Sequence, residues 1–154
     1  MIFPFIDTII LAAGLSERMG DWKLFLPFGK TTILGETIRT ALSVSQRIIL
    51  VAGHRSAEIE KQYKGNSRIK IVLNRDYIAG GFSSIKTALP YINTERFFIV
   101  LGDMPLIKPS TYQILSSYDQ ADAVFPSYKG QTGHPVLIKS YLIQIGRASC
   151  RERV

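Results

Sequence analysis

Leu11-Ala12-Ala13-Gly14 is a run of small and apolar residues followed closely by two cations, Arg18 and Lys23. Small residues let backbone N–H groups approach an anion closely. Arg18 offers a planar fork for phosphate oxygens, and Lys23 a mobile point charge. The chemistry this suggests is the handling of phosphate; the alternative is a tight turn that carries surface cations, and the residue types leave both open. Two familiar phosphate loops are excluded by spacing. A dinucleotide fingerprint needs glycine where Ser16 stands, and a Walker loop needs Gly-Lys where Met19 and Gly20 stand.

Four other places carry chemistry. Asp103 lies in "GDMPLIKP", between a strand-like run and a proline-stiffened loop. A carboxylate fixed there can hold magnesium, which takes one or two carboxylates and completes its shell with substrate phosphates; it can equally cap a helix or turn. Asn74, in "NRDYIAGGFSSIKTAL", offers both a donor and an acceptor, as reading a base edge requires. Ser83 and Ser84 follow two glycines at the start of a helical pattern, a place for polar or anionic groups or a hinge with a serine cap. His54, in "AGHR", could touch a ligand or be simply solvated, and His134, in "KGQTGHPVLI", could contact an acceptor or merely support its loop.

The elements that must position these residues alternate. Strand-like runs cover Thr8–Ala12, Arg47–Val51, Ile69–Leu73, Phe97–Leu101 and Ala123–Pro126, and another apolar strand follows Pro135. Near-continuous apolar runs suit strands covered on both faces. Helical patterns cover Ile33–Ser43, Ser56–Tyr63 with a capping serine, Ser83–Leu89, and Pro109–Tyr118 with proline in its first turn. This alternation predicts an α/β fold, a mostly parallel sheet with helices on both faces. Ligands in such sheets collect at the carboxyl ends of the strands, where every residue named above falls.

The totals narrow the function classes. The 154 residues read as one domain, with enough apolar content for a sizeable core. No apolar run reaches the ~18 residues of a membrane helix. The start, "MIFPFIDTIILAAG", lacks a basic leader and is interrupted by Asp7, so it is not read as an export signal. The single cysteine, Cys150, excludes an internal disulfide framework, and a cytoplasmic location is expected. The net charge of +7 is scattered, without aromatic interleaving, which argues against nucleic acid and leaves a basic surface or a site for small polyanions. Ile145–Val154, "IGRASCRERV", breaks the apolar periodicity and resembles a translated sequencing adapter; residues 1–144 are expected to form the domain and 145–154 a non-native tail.

"LAAGLSERMG" with Lys23, "GDMP" and "GHPV" together resemble the molybdenum cofactor cytidylyltransferases, in the nucleotidyltransferase group of Rossmann-like fold. The resemblance runs from Ile6 to about Ile138. Ala13 and "GHPV" set the sequence apart from the sister guanylyltransferases, which usually have glycine at the position of Ala13. The resemblance implies transfer of CMP from CTP to molybdopterin-bound molybdenum, with release of pyrophosphate. Carried onto this sequence, it implies that Leu11, Ala12, Ala13 and Gly14 contact the nucleotide and that Arg18 and Lys23 neutralise its phosphates. Asn74, Ser83 and Ser84 would lie by the base or ribose, Asp103 would bind magnesium, and His134 would face the acceptor. Arg18, Lys23 and Asp103 form the implied catalytic set. The implied partners are CTP, a molybdopterin-type cofactor and a recipient molybdoenzyme, with neither nucleic acid nor membrane. The family continues further, with a later metal-binding aspartate, so the chain is expected to lack the C-terminal part of its domain and to be impaired in turnover. The rival readings are another small nucleotidyltransferase, using GTP or a sugar- or choline-phosphate acceptor, and a non-catalytic cofactor carrier.

Overall fold

The computed structural model describes residues 6–15, 17, 18 and 21–143; the expected tail at 145–154, with Cys150, lies outside them. Six strands form the main sheet: β1 (Asp7–Ala12), β2 (Arg47–Ala52), β3 (Ile69–Leu73), β4 (Arg96–Leu101), β5 (Ala123–Val124) and β6 (Val136–Lys139). Their order is β3-β2-β1-β4-β6-β5. The first four are parallel, whereas β6 runs antiparallel to both β4 and β5. The helices are α1 (Ile33–Leu42), α2 (Ser56–Tyr63), α3 (Gly81–Ala88) and α4 (Pro109–Ser116). The expected mostly parallel α/β architecture is the one observed.

Side chains alternate across the pleat, and the register stacks like with like. Ile9 lies between Ile49 and Ile99, and Ile10 between Leu50 and Val100. Ile10, Ile48, Leu50 and Val100 are buried with Leu34 and Ile38 of α1 and Ile59 of α2. Ile9, Ile49, Val51 and Ile99 are buried on the other face with Ala88 of α3. Phe98 and Leu137 pack with Tyr112 and Leu115 of α4. Each fully buried aliphatic or aromatic side chain contributes about 1.5–3 kcal/mol, so the central strands are where stability concentrates. No helix among the described residues is long and apolar enough to cross a membrane.

Several local expectations give way to tertiary detail. Ser56 does not cap α2; the cap position is Arg55, in the left-handed region at φ 54°, with its guanidinium paired to Glu58. The fifth strand stops at Val124 rather than Pro126, because proline has no N–H to extend a ladder. α1 keeps Gly35 in its first turn, where a Cβ would collide with the Thr31 side chain, and Thr32 caps the helix by accepting the Gly35 N–H at 3.0 Å. Three hairpins of two-residue strands, including Glu17–Arg18 with Asp21–Trp22, are too short for any periodic signal.

Candidate active site

Backbone hydrogen bonds carry the order of the sheet past the strands and into the loops at its carboxyl edge. Gly102 N–H donates to Leu11 O at 2.9 Å, His54 N–H to Ala13 O at 3.0 Å, and Asn74 N–H to Ala52 O at 2.7 Å. The residues that leave four adjacent strands are therefore fixed relative to one another before any side chain is considered.

Asp103 owes its place to Gly102. The Gly102 carbonyl accepts the buried Thr37 hydroxyl at 3.0 Å, and a Cβ on Gly102 would stand 3.1 Å from both Leu11 O and Leu34 Cδ1. The chain is thus clamped between β1 and α1, and the next residue emerges at the rim. Lys23 is placed by its neighbours: Trp22 and Leu24 are both buried in the core, which turns the residue between them outward. Its Nζ lies 3.3 Å from Asp103 Oδ2, with both side chains partly exposed.

Of this ion pair, Asp103 lines a pocket of about 210 Å³ and Lys23 does not. Leu11, Ala12, Ala13 and Gly14 line it from the end of β1, Leu101 and Asp103 from the end of β4, and Gly80, Gly81 and Ser84 from the start of α3. Asn74 does not line it. Asn74 is buried, and its amide joins Ser83 and Ser84 to the turn after β3. Ser83 lies in the first turn of α3 without capping it; the cap position is Gly80. Arg18 belongs to the short hairpin before Lys23, paired in register with Asp21, and its side chain lies outside the described residues, as do Ser16 and Gly20. His134 is half-buried in the loop before β6; burial holds its imidazole below the usual histidine range, while the Asp103 carboxylate acts in the opposite sense. His134 is not among the residues that line the pocket. His54 is held between rings instead of in the pocket, 6.1 Å from Trp22 and 6.1 Å from Tyr77.

The MobA-like NTP transferase domain family matches residues 8–153. The chain belongs to that family. The molybdenum cofactor cytidylyltransferase of Escherichia coli K12 is 43% identical over 133 residues, 86% of this chain and 69% of that protein. The bifunctional protein GlmU of Stutzerimonas stutzeri is 33% identical over 113 residues, covering 71% of this chain but only 25% of GlmU. Among solved structures, Rv0371c of Mycobacterium tuberculosis superposes with a TM-score of 0.77 at 25% identity, over 92% of this chain and 74% of that one. This MobA-like chain is accordingly a nucleotidyltransferase by family as well as by fold.

The MobA-like pocket also contains residues that motif reading passed over. Leu24 and Leu101 contribute apolar wall, and Tyr77 contributes a ring. Tyr77 packs directly on Gly53, where an added Cβ would lie 2.7 Å from the Tyr77 Cβ. The available signal was positional: Tyr77 stands just after the end of β3, between Asn74 and the glycine pair.

Proposed function

We propose that this chain transfers CMP from CTP to molybdopterin-bound molybdenum and releases pyrophosphate. The observation that carries the reading is that Asp103, paired with Lys23 at 3.3 Å, lines one pocket with Leu11, Ala12, Ala13 and Gly14. The choice of CTP and of the molybdenum cofactor is supported by the E. coli cytidylyltransferase, 43% identical over most of the chain.

The reaction brings two anions together, the terminal phosphate of the acceptor and the α-phosphate of CTP. The protein's work is positioning and charge neutralisation. The backbone of Ala12, Ala13 and Gly14 approaches the nucleotide closely because no large side chain intervenes. Lys23, with Arg18, offsets the charge that develops on the departing pyrophosphate. His134, in the "GHPV" segment, is assigned to the acceptor by the family resemblance. The attacking phosphate is already ionised, so neither a nucleophilic side chain nor a strong general base is required.

The residues present fit a divalent ion. Asp103 is the carboxylate that lines the pocket, and it would hold the ion there. Such a donor set suits magnesium, which takes its remaining ligands from triphosphate and water. When bound, the ion neutralises phosphate oxygens.

Calorimetric titration with CTP and GTP in magnesium, followed by assay of pyrophosphate release on adding the molybdenum-loaded pterin, tests the reading. CTP should bind more tightly, and release should require both substrates. A preference for GTP would overturn the nucleotide assignment; cofactor binding without pyrophosphate release would make the chain a carrier.

A further inference from the structure

Asn74, Ser83 and Ser84 form a hydrogen-bonded set beside the pocket, and a count of its protons leaves one over. Asn74 is 3% exposed. Its Oδ1 accepts the Asp76 N–H at 3.0 Å, and a backbone N–H can only donate, so that contact fixes which way the amide faces. Nδ2 must then turn to the serines, donating to Ser83 Oγ and Ser84 Oγ, each at 2.9 Å. Both amide protons are committed. Ser83 has carbonyl acceptors for its own proton, Gly80 O at 2.6 Å and Asp76 O at 3.1 Å. Ser84 differs. It is 3% exposed and lines the pocket, and its hydroxyl, which accepts from Asn74, donates to no acceptor among the described residues. A buried hydroxyl proton without an acceptor is costly, and the open space that Ser84 borders is the pocket.

We infer that Asn74 is a positioning residue: it holds the Ser84 hydroxyl as a hydrogen-bond donor to the uncharged end of the bound nucleotide. The inference rests on the nucleotide reading above. The uncharged end is specified by the layout of the rim. Lys23 and Asp103 gather at the end of β4, whereas Asn74 follows β3. Three strand spacings separate those strands, about 14 Å, so a triphosphate held at the first leaves its sugar and base toward the second. Asn74 makes no contact of its own with the ligand, because its donors are used within the protein.

Asn74→Asp reverses the set. The carboxylate still accepts the Asp76 N–H, but it can only accept from the serines, so the Ser84 proton is drawn toward it and away from the pocket. CTP is titrated into the unsubstituted chain, Asn74→Asp, Ser84→Ala and the double variant. Magnesium pyrophosphate is titrated into the same four proteins as a probe of the charged end alone. Each single substitution should weaken CTP binding about five- to tenfold, the worth of one hydrogen bond. The double variant should bind no more weakly than either single, and pyrophosphate affinity should be the same in all four. Additive losses would overturn the assignment, since Asn74 would then act independently of Ser84. A parallel loss for pyrophosphate would also overturn it, by revealing a general disturbance or charge repulsion. Should Asn74→Asp fail to fold, Asn74→Ser removes the amide and enters the same cycle, with a smaller but equally non-additive loss expected. An unsubstituted chain that binds pyrophosphate but not CTP would defeat the nucleotide reading and this inference together; CTP binding with an additive cycle would defeat the inference alone.

Discussion

Lys23 and Asp103 are 80 positions apart in the chain, yet their charged groups are 3.3 Å apart. With side chains 41% and 31% exposed, the pair sits in water and contributes little to stability, about 0–1 kcal/mol. On the proposed function, its energetic significance is for the ligand. Asp103→Asn is therefore expected to leave the urea midpoint nearly unchanged while lowering pyrophosphate release about a hundredfold, comparable to losing one fixed charge-stabilising group at a reacting centre. Lys23→Met should weaken CTP binding with an equally small effect on stability. Unfolding far below the parent midpoint would mean that the two residues serve the fold instead. Each residue was legible alone, as a cation after small residues and a carboxylate after a strand. Their gathering at one rim of the sheet was legible too; the direct ion pair was not, because it depends on the placement of β1 beside β4.

At the scale of elements, the pocket wall depends on where glycine lets two segments touch. Gly80 adopts φ 101° and ψ 179°, a conformation open essentially to glycine, and it leads directly into α3. Gly80→Ala should cost about 1–3 kcal/mol in urea denaturation and weaken CTP binding, since Gly80 and Gly81 both line the site. Gly53→Ala would press a methyl group into Tyr77. Overpacking of this kind costs about 1–3 kcal/mol, and the displaced ring should lower CTP affinity as well; unchanged affinity would remove Tyr77 from the binding wall. The hairpin before Lys23 has a comparable tie, with the Arg55 guanidinium 4.9 Å from the centre of the Trp22 ring. The glycine pair was readable as freedom before a helix. The contact between residues 53 and 77 has no trace in local pattern, because each residue is ordinary in its own segment.

The whole molecule separates its chemistry from its anchoring. The carboxyl edge of the sheet carries the pocket, and the opposite edge carries a buried polar knot around Asp7. Asp7 is fully buried, with Arg47 at 3.2 Å, Gln46 Nε2 at 3.3 Å and the Asn93 N–H at 3.2 Å. Removing one partner of such a buried pair leaves the other uncompensated, at about 3–5 kcal/mol. Asp7→Ala should thus lower the urea midpoint markedly with the m-value preserved. CTP affinity, measured where the protein remains folded, should be unchanged. A large change in affinity would mean that the two edges of the sheet are coupled.

The sequence by itself determined the strand–helix alternation, the apolar rows of the sheet and the polar residues at its carboxyl edge. These follow from side-chain periodicity and from residue types adjacent to one another in the chain, which local physics dictates. Only the tertiary structure decided that Lys23 pairs with Asp103, that Tyr77 rests on Gly53, and that Asn74 turns its amide inward to Ser84. Those facts depend on strand order and on which hydrogen-bonding groups are already satisfied. Both are properties of the packed chain, where distant segments compete for the same space and the same protons.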